Sequence, residues 1–159
     1  MRLPDFPFPQ QYDYVRSSRA VLLDYCGTLA PADFIRENSA FGKGSIRNLL
    51  VHIANTYAFW LGEFSLGRAI TYTEPGDLAE VAGFHPLFAG VDQLVSDFLD
   101  YWSAETPALF TAEFDGQQQQ APPLQLFTHV ITHEYHHKGQ ILSLSRHLGY
   151  VPVDTDVMR

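Results

Sequence analysis

Apolar residues recur along the chain at helical spacing in four stretches, and no stretch shows convincing strand alternation. In the first, Tyr14, Ser18, Val21, Leu22, Tyr25 and Leu29 share one face, and Pro31 stops the helix soon after. The second opens at Gly44-Ser45, where Ser45 suits an N-cap. It carries Ile46, Leu49, Leu50, Ile53, Tyr57, Trp60, Leu61 and Phe64 on its face, and Gly67 marks its end. The third begins near Pro86, with Leu87, Val91, Leu94, Val95, Phe98, Leu99 and Trp102 in helical register. The fourth runs from Pro122-Pro123 to Leu148, capped by Gly149. At 1.5 Å per residue it spans roughly 40 Å, enough to cross a whole domain.

The joints are as informative as the helices. Residues 68–85 and 104–121 exceed the usual connection between antiparallel neighbours. The pattern predicts an all-α protein, a four-helix bundle with long connections between helices two and three and between three and four. The later joint holds Phe114-Asp115-Gly116 and then Gln117 to Gln120, a composition that reads as a solvated loop. There is no internal repeat, and residues 1–159 read as one domain.

Composition narrows the function classes. Hydrophobic residues make up 46% of the 159 and charged residues 18%, which supports a core and argues against disorder. A core of that size needs no structural metal for stability. One cysteine, Cys26, excludes a disulfide framework and points to a reducing, cytoplasmic compartment. Inside a helix and without a predicted histidine neighbour, it reads as a buried small residue rather than a nucleophile. Eighteen acidic against ten basic residues give a net charge of −8. That balance opposes the basic face a nucleic-acid binder needs. No apolar run reaches the ~18 residues of a membrane span. The start, with Pro4, Pro7 and Pro9 among polar residues, does not read as a secretory leader.

The unusual feature is the clustering of histidines. His129, His133, His136 and His137 occupy nine positions of the fourth helix. On a helical wheel His133 and His137 fall within the face set by Leu126, Val130, Ile141, Leu144 and Leu148. Two imidazoles four residues apart on an inward face can give two nitrogens to one metal, and are hard to satisfy otherwise. His129, His136 and Gln140 lie toward the edge of that face, as supporting or pocket residues. Residues 133–137 also match the H-E-x-x-H pattern of zinc proteases. The extended pattern requires Gly and His where Gln140 and Ser143 stand, and no strand-rich half precedes it, so that reading is rejected. Glu134, about 100° from His133 on the wheel, reads as a surface carboxylate. The third ligand must come from elsewhere: His52, His85 and the acids all remain candidates, with His52 at the flank of its helical face beside Leu49, Thr56 and Phe59.

Three stretches carry a resemblance. They are Ser45 to Ile53 (SIRNLLVHI), Thr132 to Gln140 (THEYHHKGQ) and Arg146-His147-Leu148-Gly149. With them the chain resembles the DinB/YfiT family of damage-inducible-like metalloenzymes. The resemblance implies a four-helix bundle with a divalent metal on one helix-two histidine and a helix-four pair, here His52, His133 and His137. It leaves His85 as a helix-start residue. If His52 completes the triad, its flank neighbours Leu49 and Phe59 should be buried as an apolar wall. Where the family most often has Arg, this chain has Lys138, which keeps the charge without the bidentate fork and reads equally as a solvated helix residue. The family includes enzymes that use low-molecular-weight thiols. The expected function is therefore a metal-dependent transferase moving a thiol onto a small-molecule electrophile received in an aromatic pocket. The alternatives are a hydrolase whose metal activates water, and a non-catalytic, stress-associated metal-binding protein. Histidine-only ligation suits zinc, nickel and copper, with zinc or nickel leading. A homodimer is the expected assembly.

Overall fold

The computed structural model describes residues 7–159, so Pro4 lies outside the described residues. Among the described residues, five α-helices and one hairpin follow in the order α1 (Phe8–Cys26), α2 (Pro31–Phe34), α3 (Ile46–Tyr57), α4 (Phe84–Glu105), β1 (Phe110–Phe114), β2 (Gln117–Ala121) and α5 (Pro123–His147). The protein is mostly helical, as the apolar spacing predicts. The four long helices close a ring, for α3 packs against α4 and α5, and α1 packs against the same two. Among the described residues no helix is long and apolar enough to cross a membrane.

The helix boundaries follow local chemistry. Proline sits in the first turn of both α1 and α5, where its missing N–H costs no hydrogen bond. Ser45 caps α3 by accepting from the Asn48 N–H at 3.1 Å. The basic residues Arg146 and His147 occupy the last turn of α5, where the helix dipole favours them. The core is built from Leu22, Leu49, Leu50, Ile53, Val95, Phe98, Val130 and Ile141 with their neighbours, all buried.

Five sequence expectations need correction here. Tyr14 is exposed and Val21 half-buried; α1 instead turns Val15, Ser18 and Arg19 inward. Pro31 does more than end a helix, because α1 has already stopped at Cys26 and Pro31 starts α2. Trp60 is half-buried, because the helix carrying it does not stay α-helical. Ala58–Ser65 continues α3 as a π-helix, with the Leu66 N–H reaching the Leu61 carbonyl at 3.2 Å. Gly62 in that segment lies so close to Ile70 that an added Cβ would sit 2.8 Å from its Cδ1. The predicted loop over 104–121 is in large part an antiparallel hairpin. Asp115 and Gly116 both adopt positive φ, 50° and 73°, as a two-residue type I′ turn requires. Last, the predicted apolar wall beside His52 is only half built: Leu49 is fully buried, whereas Phe59 is half-buried.

Candidate metal centre

Side-by-side packing of α3 and α5 brings three histidines to one point. His133 Nε2 lies 3.1 Å from His52 Nε2 and 3.0 Å from His137 Nε2. One nitrogen from each ring falls within 4.8 Å of the others. Ligands ~2.0–2.1 Å from one ion sit about 2.9 Å apart at right angles and about 3.3 Å apart at tetrahedral angles. The two short separations fall between those limits, so His133 is spaced to share one ion with each neighbour, and the three rings together could hold it.

The hydrogen bonding agrees with that fit. His137 Nδ1 is 2.7 Å from Gln140 Oε1, a bond only an N–H can make. That fixes the tautomer and turns a lone pair at His137 Nε2 toward the other two rings. His133 has no equivalent anchor, for its Nδ1 is buried without a partner. With a lone pair at His137 Nε2, His133 Nε2 can share a proton with only one of its two neighbours, so the other short contact goes unmet unless a cation is shared. Burial favours the neutral rings a metal needs. It lowers the His52 pKa to about 4, helped by the Lys43 charge and by His137, and lowers that of His133 to about 3, helped by His137 and His52. His137, 8% exposed, is lowered by burial as well.

The other candidate residues surround this point unequally. Gln140 touches His137 and also approaches His136 Nε2 at 3.3 Å, while His136 itself is exposed. His129 is exposed one turn before His133, its ring 5.8 Å from that of His133 and 5.3 Å from Trp60. His85 is exposed near the start of α4 and borders a separate cavity with Cys26 and Asp24. Cys26 is buried, and burial pushes its thiol up to about 12, which leaves it unreactive. Lys138 is not a solvated residue. It is 2% exposed, donates to the Ser18 hydroxyl on α1 and lies 3.8 Å from the Tyr135 ring centre.

Glu134 is not a surface carboxylate either. It is 1% exposed and grips the Arg19 guanidinium through two 2.8 Å bonds. Tyr57 donates to the same carboxylate at 2.7 Å, and Arg19 reaches on to Asp92 at 2.7 Å. The wheel missed this because it gave α5 one buried face, whereas α5 is also covered by α1. The occupied carboxylate has no role at the histidines, which removes the protease reading. Arg19 could have been suspected from its place beside Ser18 and Leu22. Lys43 gave no signal, since its position near the triad depends on Asn48, which holds the Lys43 carbonyl at 2.9 Å.

The model of the DinB family matches residues 3–159, nearly the whole chain. No curated protein matches it. The chain belongs to the DinB family.

Proposed function

We propose that this DinB-family protein is a metal-dependent enzyme in which His52, His133 and His137 hold one divalent ion, zinc or nickel. The proposed reaction transfers a low-molecular-weight thiol to a small electrophile. The observation that carries this reading is the meeting of three histidine nitrogens from two helices, with His133 Nε2 3.1 Å from His52 Nε2 and 3.0 Å from His137 Nε2. Three neutral imidazoles leave coordination positions open, as a catalytic rather than a structural site requires. A divalent ion there supplies Lewis acidity that lowers the pKa of a thiol or of water.

The chain's own residues divide the remaining work. Gln140 holds the His137 ring in register through its Nδ1–H. Lys43 puts positive charge near His52 and His137, on a flank where an anionic cosubstrate group is attracted. Trp60 and His129 form the opposite flank, which suits an apolar partner.

The test is a turnover assay on the zinc- and nickel-loaded protein, with 1-chloro-2,4-dinitrobenzene in the presence and absence of cysteine or glutathione. Thiol-dependent turnover above the protein-free rate, lost in His133→Ala, is expected. Ester hydrolysis without thiol would assign the site to water activation. No turnover of either kind would leave a binding protein.

A further inference from the structure

On the hairpin side of the triad the surface opens into a cleft of about 720 Å³. Trp60 and Phe64 line it from the π-helical segment after α3, Gln119 and Gln120 from β2, and Gln125 and His129 from α5. The volume falls within the ~300–1,000 Å³ of small-molecule sites. Two local departures from regular structure build it. The π-helical turn sets Trp60 and Phe64 with ring centroids 5.2 Å apart, and the Ser65 hydroxyl fixes the wide turn by donating to the Trp60 carbonyl at 2.6 Å. The type I′ turn brings Phe114 to 5.5 Å from both Phe59 and Trp60, which anchors the hairpin against the π-helical segment.

The lining is chemically uniform in one respect. Although the chain carries 28 ionisable Asp, Glu, Lys and Arg side chains, none of them lines this cleft among the described residues. The polar groups that do are neutral amides, a hydroxyl and an imidazole. A carboxylate or ammonium entering here would shed water and meet no opposite charge. A flat, uncharged ring can lie against Trp60 and Phe64 while an amide side chain meets one polar substituent. The cleft reaches the triad through His129, whose ring approaches both Trp60 and His133.

We infer that this cleft binds an uncharged, planar aromatic molecule carrying a neutral polar group, with one end at His129 facing the histidine triad. That this molecule is the electrophile of the reaction rests on the function proposed above. Its binding does not, because no triad residue lines the cleft.

The matched probes 2-naphthamide and 2-naphthoate share a ring system and differ in charge, so calorimetric titration of each into the full chain isolates that property. The amide should bind at least about tenfold more tightly than the carboxylate, before and after treatment with EDTA. Trp60→Ala should weaken the amide by about tenfold. Gln125 is exposed, so Gln125→Lys should fold normally and raise naphthoate affinity by at least about fivefold. If Trp60→Ala does not fold, the lysine variant decides alone. Equal or tighter naphthoate binding by the unaltered protein, or no amide binding at all, would overturn the inference. Amide binding by a protein that takes up no metal would sink the metal reading and leave this one standing.

Discussion

His133 and Glu134 are adjacent in the chain, yet they belong to polar clusters of opposite character. Glu134 faces α1 and α3, where Arg19 and Tyr57 fill its lone pairs and Asp92 takes the remaining arm of the guanidinium. In that cluster Arg19, Tyr57 and Glu134 are buried, every ionised group is paired, and Arg16, 3.2 Å from Asp92, brings the second positive charge. His133 faces His52 and His137 in a half-buried setting, with one ring nitrogen orphaned and the other set against two imidazoles. A buried polar group costs little when its partners are built in and a great deal when they are missing. The complete cluster therefore reads as structure, whereas the incomplete one reads as a place where something else binds.

Breaking the complete cluster should give the largest effect. Glu134→Ala leaves the Arg19 charge buried beside Asp92 alone, a change expected to cost about 3–5 kcal/mol. Urea unfolding should show it as a lower midpoint, and a loss under about 1 kcal/mol would make the pair dispensable.

Metal should act on the incomplete cluster alone. At free zinc of ~100 Kd the folded state should gain about 2.7 kcal/mol, and His133→Ala or His137→Ala should lose that gain. Chelation should leave the helical circular dichroism in place while the melting temperature falls. Loss of most helical signal would mean that the ion is structural.

A smaller change separates the supporting residues. Gln140→Ala should weaken metal affinity about tenfold, since the His137 ring loses its anchor. His136→Ala, removing an exposed ring, should change it much less. Equal effects in a metal titration would deny Gln140 this role.

Acid should bring out the last difference. The folded-state pKa values of His52 and His133, about 4 and about 3, lie below the ordinary 6.5. The unfolded chain therefore takes up protons first, so the stability of the metal-free protein is full above pH 6.5 and declines as pH falls toward those values. Thermal melts of the chelated protein between pH 7.5 and 4.5 should decline less steeply in the His52→Ala, His133→Ala double variant. An unchanged slope would place the acid sensitivity elsewhere.

The long helices were legible because each buries a stripe at helical spacing. The hairpin was not, since four successive glutamines carry no alternation to mark an inward side. Asp115-Gly116 was the one sign of its turn. The π-helical turn leaves no mark in the apolar pattern, so Trp60 reads as an ordinary core position. The pair on α5 was visible from its spacing. His52 was not singled out by its wheel position, and the family resemblance supplied it. Glu134 and Lys138 were misread for one reason: α5 is covered on two sides, so residues turned from the histidine face are also buried.

The central claim is that the incomplete cluster is a metal site, and metal content per chain tests it most directly. Elemental analysis of the purified protein, alongside His52→Ala, His133→Ala, His137→Ala and the control His85→Ala, should give about one divalent ion per chain in the unaltered and control proteins. In each triad variant it should give a small fraction of that. Full occupancy in His137→Ala, or an unaltered protein that takes up no zinc or nickel when both are supplied, would contradict the account.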